Sequence, residues 1–303
     1  MPCFRLLVLA AGAALLPGLL ATGPALADDA SLTEKLNAYV GCLNRLSGHA
    51  FDARERYFSW VGKKGPTGKE RIIYGTYTIY DTSDCRSGVE RAELEEAASA
   101  YVEAVVALEP LLKDADDYYS QEDYKDDKMA KGKSLHPQLV AAWTAFASAD
   151  TRLRSGIDVV QDMLAVEELV NIESTEGRAA RYHIQALMMH AKRLMRVQSA
   201  DKPDLGKITE TLGEYETITK AAEAYAAENK DDRIGSSFIS SAKAFLVTAK
   251  QLMRRVRDKV PYSTGEKMIL NSGGGSWMVE GSPGRLMHDY NQLVDSYNRG
   301  ARF

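Results

Sequence analysis

The sequence predicts an all-α protein: an elongated antiparallel helical bundle with coiled-coil-like packing, interrupted by two long Gly-containing connections. Three observations lead there. Apolar residues recur at alternating spacings of four and three along most of the 303 residues, which is the period of one helix face. Helix-start signals precede several of these seams. The composition, 45% hydrophobic and 26% charged, is that of an ordinary globular chain and excludes disordered, collagenous and multi-spanning membrane classes.

The first 27 residues read as a cleavable export signal. Arg5 precedes an apolar stretch from Leu6 to Leu20, and Gly23-Pro24 and Ala25-Leu26-Ala27 follow it. That order of charged, apolar and small residues is the secretory layout, with cleavage expected after Ala27. The apolar run contains Gly12, Pro17 and Gly18 and is too short to span a bilayer, so no transmembrane segment is expected after cleavage. Residues 28–303 are then read as one helical-bundle domain in an exported, periplasmic setting. Cys3 departs with the signal and leaves Cys42 and Cys85, an even pair in an oxidising compartment. A disulfide between them would close a loop of roughly 40 residues and stabilise the fold by about 4 kcal/mol on the chain-entropy model. Two buried thiols or a redox pair are the competing readings, and no Cys-x-x-Cys spacing supports the last.

The seams follow in order. Leu32, Leu36, Tyr39, Leu43, Leu46 and Ala50 form the first, with Ser31 and Glu34 as a capping box. Leu94, Ala98, Tyr101, Val105, Leu108 and Leu112 form the second behind a capping box of Ser87 and Glu90, with Pro110 expected to kink the helix without ending it. After Pro137, expected in a first helical turn, apolar positions run from Leu139 through Ile172 and resume after Gly177 at Ile184. A lone Gly costs about 1 kcal/mol in a helix, so the segment is read as one helix from about Pro137 to about Ser199. That gives six helices and brings the two long connections to the same half of the bundle. A hairpin at Ser174 to Gly177 is the alternative, with seven helices. Further seams begin at Ile208, Phe238 and Leu286, the last behind Pro283.

The connections hold the candidate ligand or partner surface. Between Val61 and Ser83 lies a basic turn with Lys69 and Arg71, then a β-prone run with Tyr74, Tyr77 and Tyr80 that suggests a short ribbon. It is no phosphate loop, because Gly62 and Gly68 are spaced wrongly and Glu70 follows Lys69. Between Val260 and Ser282, Trp277 follows a Gly run. An aromatic there, near Lys69, Arg71 and Tyr74, would offer a platform to a sugar, peptide or lipid headgroup; the bland reading is a Trp tucked into the bundle end.

No catalytic, cofactor or metal site is read from the sequence. Acids outnumber bases 42 to 38, so no global positive field favours nucleic acid or anionic lipid. The acidic run from Asp114 to Asp127 fails the calcium-loop pattern. His183 and His190 stand two helical turns apart, too far to share a metal. No Glu-x-x-His or Gly-x-Ser-x-Gly motif is present. The leading function is a non-enzymatic module binding an unknown envelope protein or ligand. A hydrolase or transferase acting on cell-wall material, or a metal-binding protein using the acids around Asp126, are the alternatives.

Three stretches carry a resemblance. They are Leu36 to Asn44, Tyr124-Lys125-Asp126-Asp127 leading to His136-Pro137, and Glu176-Gly177-Arg178 leading to His183. On these the chain resembles the YiiG-like bacterial exported family of unknown function. The resemblance marks Tyr124, Asp126, Asp127, His136 and Pro137 as motif residues. It implies a mostly helical envelope protein, with no catalytic residues to carry over. Many members look like lipoproteins, whereas this chain lacks a lipobox cysteine.

Overall fold

A computed structural model describes residues 24–79, 92–200, 202–272 and 275–300. The expected signal up to residue 23, the helix start at Ser87 and Glu90, Tyr80 and Cys85 lie outside them. Among the described residues the fold is all-α, with α1 Pro24–Phe58, α2 Ala92–Ser120, α3 Ala130–Glu176, α4 Ala180–Gln198, α5 Leu205–Glu228, α6 Ser236–Arg257, α7 Thr264–Asn271 and α8 Pro283–Gly300. The chain divides into two compact units, Met1–Gln161 and Asp162–Phe303, and the division falls within α3.

The N-terminal unit is built on the predicted seams. Leu36, Tyr39, Leu43 and Leu46 of α1, Tyr101, Val105, Leu108 and Leu112 of α2, and Leu139, Trp143, Phe146 and Leu153 of α3 are all buried. At the centre of this core a carboxylate is shut away from water. Ser47 of α1 donates to Asp150 of α3 (2.5 Å) and shares a hydrogen bond with Tyr101 of α2 (2.8 Å). Arg154, one turn on, donates to both Asp150 oxygens at 3.2 and 3.0 Å. Burial pushes the Tyr101 hydroxyl well above its ordinary range, so it stays a neutral donor in this chain of bonds.

The C-terminal unit packs α4, α5, α6 and α8 around Ile184, Leu187, Tyr215, Phe238, Phe245 and Leu293. It has a buried carboxylate of its own. Asp289 of α8 accepts from Thr248 of α6 and from Arg285 Nε (3.0 Å). Asp204 caps α5 by accepting from the amides of Gly206 and Lys207. Asp232, in the connection between α5 and α6, accepts from the Ala180 amide at the start of α4 (2.9 Å) and from the Tyr225 hydroxyl.

Several expectations are corrected. The helix read as continuous from Pro137 to Ser199 ends at Glu176 and restarts at Ala180. Gly177 takes φ +73 with open space around it, the left-handed conformation that ends helices. α4 then folds back along the last turns of α3, where Arg181 pairs with Glu176 and Glu168 and Arg196 pairs with Asp162. These pairs and the buried face of α4 favour the break, which also relieves the mild cost that Gly177 would carry inside a continuous helix. α1 starts at Pro24, not at Ser31, because the Ala-rich stretch before Ser31 propagates helix readily. Pro137 lies inside α3, which begins at Ala130. The second connection contains α7, started by a capping box of Ser263 and Glu266. No strand forms among the described residues of the Tyr-rich run. Pro110 lies inside α2 without ending it, and Pro283 stands at the start of α8, as read.

The Asp150 network generates a stability prediction. Asp150→Ala leaves the Ser47 hydroxyl and the Arg154 guanidinium short of an acceptor, and should lower unfolding stability by about 3 kcal/mol. Asp150→Asn, which keeps one oxygen acceptor, should cost less. Urea denaturation followed by circular dichroism checks both, and equal midpoints for wild type and Asp150→Ala would refute the role.

Candidate binding surface

Over residues 61–79 the first connection is fastened to the N-terminal unit at both ends of that stretch and exposed between. It leaves α1 through Val61, whose amide bonds the Tyr57 carbonyl, and turns at Gly62–Gly65. Gly65 has φ +94, and a Cβ there would stand 3.0 Å from the His136 ring. Both the backbone conformation and the close approach require glycine. His136 is buried and holds its Nδ1 3.0 Å from the Tyr57 hydroxyl, with the two rings stacked at 5.9 Å. Tyr57 also packs on Trp143, whose Nε1 donates to the Ala50 carbonyl. Burial pushes the Tyr57 hydroxyl up to about 12. The Tyr119 hydroxyl is raised further, by burial and by Tyr57, and among the described residues Trp60 Nε1, packed against the Tyr119 ring, has no hydrogen-bond partner.

Past the buried Pro66, Glu70 folds the loop on itself. Its carboxylate accepts from the Thr67 amide (2.6 Å), the Thr67 hydroxyl (2.8 Å) and the Gly68 amide (2.8 Å). Partial burial alone would raise the Glu70 pKa, but these bonds win and hold it below the usual value. The only acid of the basic turn is thus spent on the loop's own backbone. Lys63, Lys64, Lys69 and Arg71 are exposed and make no ion pair among the described residues.

The run that follows has no regular secondary structure and is paired with helices. Arg56, in the last turn of α1, donates from Nε to the Gly75 carbonyl (2.7 Å). Its guanidinium lies 4.9 Å from the ring centroids of both Tyr74 and Tyr77. Thr76 donates to the Leu112 carbonyl of α2 (2.8 Å). Gly75 sits so close to α2 that a Cβ would fall 2.3 Å from Asp116 and Ser120 oxygens. With Thr76 and Ile79 buried, Ile72, Tyr74 and Tyr77 are left 52%, 41% and 48% exposed. Lys69, Arg71, Tyr74 and Tyr77 therefore share one short connection.

Trp277 belongs to the C-terminal unit. There it stacks on His288 of α8 at 5.0 Å and stays 43% exposed. The motif residues build the connection between α2 and α3. Asp127 accepts from the first amides of α3, Ala130 and Lys131, and from the Tyr118 hydroxyl. The Asp126 amide closes a turn on the Asp123 carbonyl, and the Tyr124 ring packs on Tyr118 at 6.5 Å. His136 and Pro137 follow in α3. Only His136 touches the candidate surface, through Gly65. Sequence reasoning missed Arg56 and Ile72. An Arg at a helix C-terminus is commonplace, and an exposed Ile carries no local mark.

Residues 30–299 match the family described as "Protein of unknown function (DUF3829)". The chain belongs to that family. It is also 36% identical over 287 residues to "Uncharacterized protein YiiG" of Escherichia coli (strain K12), covering 91% of this chain and 81% of the relative. No solved structure matches the chain.

Arg56 is the fastening of this surface. Arg56→Ala removes two hydrogen bonds, to the Gly75 carbonyl and the Tyr77 hydroxyl, and two cation–π contacts, together about 2 kcal/mol of local stability. Amide exchange across residues 73–78 should rise about thirtyfold while the α1 core stays protected. Unchanged exchange, read by mass spectrometry, would show that Thr76 and Ile79 suffice.

Proposed function

We propose that this is an exported envelope protein that works without catalysis, binding a partner through the face formed by residues 62–78. One observation carries the reading. The connection uses its own acid to tie its backbone and is fastened to α1, α2 and α3, yet four basic side chains and three large apolar or aromatic ones point outward. Such a face is held in place before anything binds, so little ordering entropy opposes association. Exposed charge and apolar surface together are what recognition sites present. The alternatives gain no comparable support. Among the described residues no three His, Cys, Asp or Glu side chains gather as a metal would need, and the buried Tyr57, Tyr119 and His136 are packed as core. The test is retention of solubilised envelope material on the immobilised protein. Changing Lys63, Lys64, Lys69 and Arg71 together to Gln should abolish what the wild type retains; identical retention would count against this face.

Export and a Cys42–Cys85 disulfide belong to the same proposal. The charged, apolar and small-residue order of residues 1–27 supports export. The complete burial of Cys42 and the even pair left after cleavage support the disulfide. Intact mass after alkylation should show no modified cysteine in the exported protein without reductant and two with it. Alkylation of both without reductant would remove the disulfide.

A further inference from the structure

We propose, resting on the binding role assigned above, that the partner of the 62–78 face is a lipid bilayer carrying anionic headgroups. Charge is the first argument. The chain as a whole is acidic, at −4, but Lys63, Lys64, Lys69 and Arg71 crowd into nine positions whose sole acid, Glu70, is held by Thr67 and Gly68. The whole-chain balance conceals a local positive patch, and local charge is what a headgroup layer meets within a Debye length.

The second argument is what accompanies the charge. Ile72 is more than half exposed directly after Arg71, and the half-exposed rings of Tyr74 and Tyr77 follow. An aliphatic side chain beside Tyr rings and basic residues is the composition that settles at the boundary between headgroups and acyl chains. A soluble polyanion would use the charges but has nothing for Ile72 to enter. Recognition of bases or sugars would need open aromatic faces, and here the Arg56 guanidinium is stacked with both rings.

The third argument is placement. The ends of the segment are anchored, by Gly65 and Pro66 near His136 and by Thr76 and Ile79 against the helices, so only its outer side is offered. No helix among the described residues is long and apolar enough to cross a membrane, and the contact proposed is peripheral.

Vesicle sedimentation of the exported protein tests this. With equal parts phosphatidylglycerol and phosphatidylcholine at about 50 mM salt the protein should pellet; with phosphatidylcholine alone, or at about 500 mM salt, it should not. Each single change of Lys63, Lys64, Lys69 or Arg71 to Gln should weaken binding about fivefold, and Ile72→Ser should weaken it without altering charge. All five positions are exposed, and unchanged circular dichroism confirms folding. Absence of pelleting on anionic vesicles, or pelleting indifferent to Ile72→Ser, overturns the proposal. Retention on immobilised dextran sulfate that depends on the four basic residues, without vesicle binding, also overturns it while leaving the binding role of the face intact.

Discussion

A carboxylate shut away from water must be given donors, and in this protein that demand fixes which helices meet and at which turn. Asp150 collects the Ser47 hydroxyl from α1, with Tyr101 of α2 behind it, and the Arg154 guanidinium from its own helix. A slip of one residue in any of the three helices would leave a buried charge or hydroxyl unmet, which apolar packing alone would tolerate more easily. With that register set, Trp143 and His136 stand where they can meet Tyr57, and the chain leaving α1 finds its seat. Asp289 plays the equivalent part in the C-terminal unit with Thr248 and Arg285.

The exposed connection inherits its order from this core. Its backbone polar groups find partners in the Glu70 carboxylate and the Thr67 hydroxyl within the loop, in Arg56 at the Gly75 carbonyl, and in turn bonds such as Gly65 to Gly62. An extended segment usually meets that need with a second strand. Here helix side chains meet it instead, and its outward residues are left free for contact. The family-motif residues act one step further back, since Asp127 starts α3 and α3 delivers His136.

Most of the fold could be read from the sequence because one physical signal, the burial of every third and fourth residue, repeats along it. The seams from Leu36 to Ala50, from Leu94 to Leu112 and from Phe238 to Leu252 are buried as their spacing implies. Breaks were harder to read. Gly177 in a helix costs little, and what turns it into a hairpin is the pairing of Arg181 and Arg196 with acids of α3, a tertiary gain that no local scale contains. The Tyr-rich run has strand propensity without a strand partner. Lys69, Arg71, Tyr74 and Tyr77 were legible as a cluster because they are neighbours in sequence. Arg56 was not, because its importance lies in reaching Gly75 and two Tyr rings across a turn.

The span of the Asp150 contact bears on the order of assembly. Ser47 and Asp150 are 103 residues apart, whereas Thr248 and Asp289 are separated by 41. Bringing the more distant pair together costs about 0.8 kcal/mol more in loop-closure entropy, and no early-made segment of the N-terminal unit contains both partners. As the chain is synthesised, the apolar face of α1 emerges first and must wait for about a hundred further residues before its burial can be completed. At 5–20 residues per second, that interval is on the order of 5–20 s. The half of the molecule made first is thus the half whose closing contact comes late.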